Sequence, residues 1–429
     1  MNLHRSIKPL ALLLASMLIF AGCTAPLAPT ESGDTGATGA EGPSTINVYI
    51  DSDTNIADWW TNTVQPAFEA AHPEYVLNVV HTGAGGAGNG PIADRAMAAL
   101  ETGDDPGVDY FETWNVLQPI GAEEAGLWLE ITPENVPNIA NVIDSALRGS
   151  TGRDIPYRGS QVLLAYDSAR LLGILQEQGL VGEDATEVPE EYVPSTWPEL
   201  MDWVCQFPGE FMYPRPDTTG AGRNFVTRAV MEANDLDTSR FSVEAFVEQF
   251  GTTELTVDQI AEINEEYFVG AWDMLNEIEP CLYDNGTYTS GAAATTRLLT
   301  DSLATMITIW SDQALQAQFL GLMPESVNYI QLQDLPMVGG YASSAIPTNA
   351  TNQEGALVLA NYMLGSEMQE SVVRVIGGFP AISWDELPDE LRADFNDVIT
   401  ENVPSFGSTW QPPMYDGWYS FVAPDVDRE

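Results

Sequence analysis

An α/β protein in two lobes is the fold this sequence predicts, and three observations predict it. Between positions 46 and 113 strand-like and helix-like segments alternate, which is the order that builds a parallel sheet. About 380 residues follow the N-terminal leader and tether, too many for one ordinary core and suited to two. After a long helical stretch the alternation returns late in the chain, as expected when two lobes are joined by several crossings.

The elements follow in order. Residues 46–50, Ile-Asn-Val-Tyr-Ile, have strand composition, and 56–71 place Trp59, Trp60, Val64 and Phe68 at helical spacing. A second strand is expected at 75–81, a helix at 91–100 and a third strand at 108–113. Pro156 interrupts the pattern, because proline removes a ladder donor. A strand at 162–166 then begins a second α/β unit, with a helix around Leu171. Helices are expected at 197–207, 224–234, 243–250 and 257–276, strands at 304–310 and 328–332, and a run through 338–346 into a helix at 353–364. The aromatic, proline-rich tail, 406–422, reads as short helix and coil. No internal repeat is evident.

The first 22 residues read as a secretory signal peptide. Arg5 and Lys8 precede an apolar run from Leu10 to Phe20, which is too short to span about 30 Å of hydrocarbon as a helix. Ala21-Gly22-Cys23 closes it, and this ending resembles the lipobox of bacterial lipoproteins, which implies an acylated Cys23. An ordinary signal with an incidental cysteine is the alternative. Residues 23–45, rich in Thr, Gly, Ala, Pro, Ser and Glu, lack apolar periodicity and are expected to form a flexible, lipidated tether. The protein is therefore expected to be exported and held by lipid at the outer face of the cell membrane, or in the periplasm.

Lys and Arg number 15 against 63 Asp and Glu, a net charge of −48. Once Arg5 and Lys8 leave with the signal, every remaining base is an arginine. Such a polyanion repels phosphate backbones, which excludes nucleic acid as a partner. The acids are spread along the chain rather than blocked, as in a solvated coat. Cys205 and Cys281 are the two cysteines after Cys23; an exported compartment permits a disulfide between them, with two buried thiols as the alternative.

Few catalytic patterns survive inspection. HExxH, GxSxG and CxxC are absent, and His72 and His81 are the only histidines after the leader. The acid pairs Glu123-Glu124 and Glu265-Glu266 are adjacent in sequence, so on a helix they do not face one another. Gly83-Ala84-Gly85-Gly86-Ala87-Gly88 fits GxGxxG with Asp109 about 20 residues on, but it opens the second crossover rather than the first. Its glycines permit close backbone approach to a polar solute instead. Asp51-Ser52-Asp53-Thr54-Asn55 begins like a calcium loop, yet Ile56 and Asn62 occupy the sixth and twelfth positions where Gly and an acid are needed; a helix cap is the better reading. No enzyme activity, metal or cofactor is expected.

Ligands of α/β sheets sit at the carboxyl ends of strands. The candidate binding residues are therefore Asn55, Gly86, Asn89, Trp114 and Asn115 in the first lobe, with Tyr157, Arg158, Arg215 and Trp310 at the hinge and in the second. Aromatic rings at strand ends can stack on sugars, rings or cations, although core packing competes for each of them.

Three segments carry a family resemblance: Ile155-Pro156-Tyr157-Arg158-Gly159-Ser160 leading into Leu164-Ala165-Tyr166-Asp167; Pro194-Ser195-Thr196-Trp197-Pro198-Glu199-Leu200 with Pro208-Gly209-Glu210-Phe211 and Tyr213-Pro214-Arg215-Pro216; and Ala345-Ile346-Pro347-Thr348-Asn349-Ala350 into Ala356-Leu357-Val358-Leu359-Ala360-Asn361-Tyr362-Met363-Leu364. In this order they resemble the extracellular solute-binding proteins of ABC importers. The resemblance implies a type II periplasmic-binding-protein fold, with 46–155 and 334–378 as lobe 1, and 156–333 and 379–429 as lobe 2. It also implies a monomer that captures a small polar solute and delivers it to a membrane permease and its ATPase. Iron-binding branches use tyrosine pairs, and no Tyr-Tyr occurs here; sugars, thiamine, polyamines and phosphonates stay open. The runner-up class is an exported lipoprotein enzyme acting on glycans.

Overall fold

The computed structural model describes residues 42–50, 54–82, 89–113, 119, 121–147, 150–252, 255–393 and 406–428. Among the described residues from Pro43 onward there are nine strands: β1 (Ser44–Ile50), β2 (Tyr75–His81), β3 (Tyr110–Thr113), β4 (Ile155–Asp167), β5 (Phe211–Met212), β6 (Met306–Trp310), β7 (Val327–Ile330), β8 (Gly339–Ala345) and β9 (Phe379–Pro380). β1 pairs in parallel with β2 and β3, as strand–helix–strand order requires, and β3 then pairs antiparallel with β8. Along the path the order is β2-β1-β3-β8-β4-β6-β5, with β7 and β9 also on β4.

β4 is the member common to both lobes. Its first half, Ile155 to Gln161, pairs with β8, and Arg158 and Gly159 also meet β9. Its second half pairs with β6 through Val162 to Tyr166 and with β7 through Leu164 to Asp167. All 13 residues are buried, because each half is covered by its own lobe. The interruption expected at Pro156 is not there: the strand runs through it. The register with β8 slips between Pro156 and Arg158, so Tyr157 is an extra residue, and a bulge is where a strand accepts proline.

The packed interior divides along the same line. One core gathers Ile46, Val48, Trp59, Trp60, Phe68, Tyr157, Leu359 and Met363, with a small neighbouring cluster around Phe111 and Trp128. The other gathers Val162, Leu164, Trp197, Phe225, Trp272 and the tail residues Trp410 and Trp418. The aromatic tail is thus core: Trp410 lies edge-on to Phe241 and Phe246, with ring centres 5.1 and 5.0 Å away. Adjacent Trp59 and Trp60 are both fully buried, although neighbours on a regular helix point about 100° apart. A π-turn, Trp60–Val64, interposed between the helices Thr54–Trp59 and Gln65–Ala71, widens the helix at this point.

The helical stretch of the second lobe follows the expected elements closely: Trp197–Gln206, Gly220–Ala233, Val243–Phe250 and Val257–Ile263, the last continuing through a π-turn into Val269–Ile278. Thr196, Thr219, Ser242 and Thr256 cap four of these helices by accepting a backbone N–H. Cys205 is joined to Cys281 by a disulfide, Cα atoms 5.1 Å apart, which ties Trp197–Gln206 to the turn Glu279–Cys281.

The segment between β7 and β8 is held to the second lobe. Buried Arg228 donates Nε to Leu335 O at 2.9 Å and pairs with Asp334 at 3.0 Å, while Asp334 also accepts the Trp197 N–H at 3.0 Å. Among the described residues no helix is long and apolar enough to cross a membrane.

Candidate functional site

Where β4 passes from one lobe to the other, side chains of both lobes meet in a polar cluster. The bulge at Tyr157 brings consecutive side chains together: Arg158 Nε donates to Tyr157 Oη at 3.1 Å. Arg158 Nη2 donates to Glu112 Oε1, on β3, at 2.5 Å, and both residues are almost wholly enclosed. Burial by itself would lower the Arg158 pKa, but Tyr157, Glu112 and Asp312 around it raise it above the ordinary guanidinium value. The Tyr157 phenol is pushed well above its usual range, first by burial and then by the Glu112 carboxylate. Arg158 therefore stays a cation and Tyr157 a neutral hydroxyl.

Two residues further along β4, Ser160 Oγ donates to Asp312 Oδ1 at 2.6 Å. Asp312 stands in the first turn of the helix Ser311–Phe319, immediately after β6. Its other oxygen accepts from Asn55 Nδ2 at 3.2 Å, and Asn55 belongs to the helix that follows β1. Ser311 Oγ accepts the Gln161 N–H at 3.1 Å. The cluster is thus built from the ends of β1, β3 and β6 around the crossing strand.

The second-lobe wall continues through Trp310, the last residue of β6. Its indole lies against the N-terminus of the helix Gly220–Ala233, where a Cβ on Gly220 would come within 2.7 Å of Trp310 Nε1. Glycine is what allows this approach. Nearby, Arg215 is buried and donates to Asp217 Oδ1 and Oδ2 at 3.3 and 3.0 Å and to Tyr419 Oη at 2.5 Å, while Tyr419 donates to Asp217 at 2.8 Å. Burial, then the bond to Asp217, lifts the Tyr419 hydroxyl to about 12.

The residues singled out from sequence fall into three groups. Asn55, Tyr157, Arg158 and Trp310 lie at the crossing, Asn55 bonding Asp312 rather than capping its helix. Tyr157 offers only its hydroxyl, because its ring stacks on Trp59, with ring centres 6.2 Å apart, inside the first core. Arg215 lies in the second lobe, engaged with the C-terminal tail. Gly86, Trp114, Asn115 and Cys23 lie outside the described residues, and so does the Asn89 side chain. Asp109, spaced like a ribose ligand, instead accepts from the Asn47 and Asn352 backbone N–H groups at 2.8 Å each. Glu112, Asp217 and Asp312 were not among the predicted residues, because in a chain with 63 acids one more carboxylate carries no signal; Ser160 and Tyr419 were not among them either, since their partners Asp312 and Arg215 lie 152 and 204 positions away.

A separate groove of about 650 Å³ lies on the outer face of the first lobe, lined by His72, Asn138, Glu354, Asn361, Tyr362 and Met368 among others. It draws on one lobe only, so it is not the site at which lobe closure would act. Among the described residues no group of three His, Cys, Asp or Glu side chains is placed to hold a metal ion.

Solved structures share this architecture. An extracellular solute-binding protein from Bordetella parapertussis aligns at TM-score 0.59 and 13% identity, over 89% of this chain and 99% of its own. The spermidine/putrescine ABC transporter substrate-binding protein of Streptococcus pneumoniae aligns at 0.55 and 14%, over 88% and 98%. An iron-bound protein from Pseudomonas aeruginosa aligns at 0.55 and 15%, over 87% and 99%. At these identities the likeness is one of fold: two lobes of the type II periplasmic-binding kind, joined by several segments. No curated protein sequence matches the chain. The sequence does match the family described as bacterial extracellular solute-binding protein across residues 67–394, well over half its length, and with the crossing strand and interlobe cluster in place the chain belongs to that family.

Proposed function

We propose that this protein is the substrate-binding component of an ABC importer, capturing a small polar solute between its lobes and delivering it unchanged to a membrane permease. One observation carries the reading: side chains from both lobes converge on the strand they share, with Asn55 of one lobe bonded to Asp312 of the other. A solute touching both lobes selectively stabilises the closed state, and closure is a shape a permease can read. Binding alone then suffices, and no bond of the solute need be broken.

Lobe 1 is assigned residues 46–155 and 334–378, and lobe 2 residues 156–333 and 379–429; the two cores support this division in outline, with Tyr157 and Ala381 packing in the first core and Met337 and Val373 in the second. The solute-facing set is Asn55, Gly86, Asn89, Trp114, Asn115, Tyr157, Arg158, Arg215 and Trp310, to which Asp312 is added on its contact with Asn55, while the enclosed Glu112 holds Arg158 in place. The structural neighbours bind spermidine or putrescine, iron and thiamin. A thermal-shift screen over polyamines, thiamine, phosphonates, sugars and ferric ion identifies the solute, because a ligand of the native state alone raises the midpoint. Small-angle scattering with that solute should show compaction, and the solute should be recovered intact. Turnover that is lost on mutating the cluster would overturn the reading. A lipid on Cys23 completes the assignment: Cys23→Ser should move the protein from the membrane fraction to the soluble one.

A further inference from the structure

We infer that Asp312 is a closure latch: a single carboxylate, held against the hinge strand by Ser160, that fastens the first lobe to the second through Asn55. The inference rests on the two-lobed solute-binding reading and adds to it the residue that sets the balance between open and closed forms.

Both oxygens of Asp312 are engaged, each with a different lobe's element. Oδ1 accepts from Ser160 on β4 at 2.6 Å, a bond made on the strand about which the lobes would turn. Oδ2 accepts from Asn55 in the first lobe at 3.2 Å. The Asn55 helix buries Ile56 and Trp59 in the first core, whereas the Asp312 helix buries Ala314 and Leu315 in the second. Separation of the lobes must therefore break the Asn55 bond, while the Ser160 bond can persist. Ser160 Oγ also lies 3.2 Å from Ser311 Oγ, which accepts the Gln161 N–H, so the base of the Asp312 helix stays fastened to β4. A carboxylate fixed in this way loses little further freedom when the latch closes, which is how preorganisation strengthens a contact.

The same helix touches the first lobe a second time. Gly377, at φ +64°, ends the helix Ser366–Ile376, and a Cβ there would meet Leu315 Cβ at 2.6 Å and Asp312 O at 3.1 Å. Gln316 Nε2 donates to Val375 O at 3.2 Å. This flank lies at the base of the hinge. The helix therefore pivots against Gly377 while its first turn reaches Asn55, and Trp310, on the second-lobe wall, directly precedes it.

The test needs no solute, so its outcome is independent of the cargo assignment. Scattering and amide hydrogen exchange are measured on the full chain and on Asn55→Ala, Asp312→Asn and the exchanged pair Asn55→Asp with Asp312→Asn. A net hydrogen bond to a charged group corresponds to roughly a tenfold or larger change in an equilibrium. Asn55→Ala, which leaves the Ser160 bond untouched, should therefore shift the open-to-closed ratio about tenfold, seen as a larger radius of gyration and faster exchange in segments 54–59 and 311–319. The exchanged pair should regain the compact form, since the new amide at position 312 can donate to the new carboxylate at position 55 while its own oxygen still accepts from Ser160. A merely structural role would let the double variant be at least as damaged as either single one. Unchanged scattering in Asn55→Ala, or an exchanged pair as open as Asn55→Ala, would overturn the latch.

Discussion

Removal of Arg158 should cost more than removal of its partner Glu112, and the surroundings of each say by how much. Breaking one side of a buried ion pair costs about 3–5 kcal/mol, mostly because the other charge is stranded. Arg158→Met removes the cation beside two anions: Glu112, with a side chain 0% exposed, loses its ion-pair partner, and Asp312, 6% exposed, keeps its bonds from Ser160 and Asn55 but loses the nearby positive charge. The loss should lie at the upper end, about 5 kcal/mol. Glu112→Gln leaves the guanidinium beside Asp312 and Tyr157, and its loss should lie at the lower end, about 3 kcal/mol. The double variant Glu112→Gln/Arg158→Met should be less damaged than the two losses added, with a coupling above roughly 1 kcal/mol. At about 2–4 °C per kcal/mol for lobes of this size, the single variants should melt roughly 10–20 °C and 6–12 °C below wild type. Urea unfolding followed by tryptophan fluorescence, with calorimetry in parallel, measures all four proteins. An Arg158→Met loss no larger than that of Glu112→Gln, or additive losses, would show that the stranded-charge argument is wrong.

Three further outcomes are expected. Gly220→Ala must displace the Trp310 indole, so it should cost about 1–3 kcal/mol by overpacking and alter Trp310 fluorescence, measured by equilibrium unfolding and emission spectra. Asp334 has its pKa lowered: burial alone would raise it, but the Trp197 and Leu335 N–H groups and Arg228 outweigh that. A carboxyl with a depressed folded pKa stabilises the fold fully above its ordinary value and loses that contribution as pH falls through the folded one, so Asp334→Asn should flatten the decline in stability below about pH 4, followed by melting point against pH. Replacing both Cys205 and Cys281 by Ser opens a loop with a sequence separation of 76, worth about 4 kcal/mol in the chain-entropy picture, and the unfolding midpoint should fall accordingly.

Most elements were legible in the sequence because their signals are local. The strand at Tyr75–His81 and the helix at Val243–Phe250 lie where side-chain periodicity puts them, and the threonine and serine caps sit at the helix starts. The π-turn that buries Trp59 and Trp60 together was not legible: inserting a residue into a helical turn answers to packing against Tyr157 and Tyr110, which are distant in sequence. Pro156 misled for a similar reason. A proline is a breaker on average, but a bulge in a strand covered on both sides accommodates it.

For the site, the sequence by itself determined which strand ends to consider, and through its family resemblance the two-lobed architecture and its role in binding. It could name Asn55 and Trp310 because the ends of strands are where such sheets present ligands, and Arg158 because its segment resembles the family's crossing between lobes. Only the tertiary structure decided that Arg158 is spent on Glu112, that Asn55 reaches Asp312 and that Tyr157 keeps its ring in the core. Those pairings join residues 46, 257 and, for Tyr157 and Trp59, roughly 100 positions apart. Periodicity and capping act within a few residues, whereas charge pairing and ring packing act between whichever groups the crossing strand brings into contact.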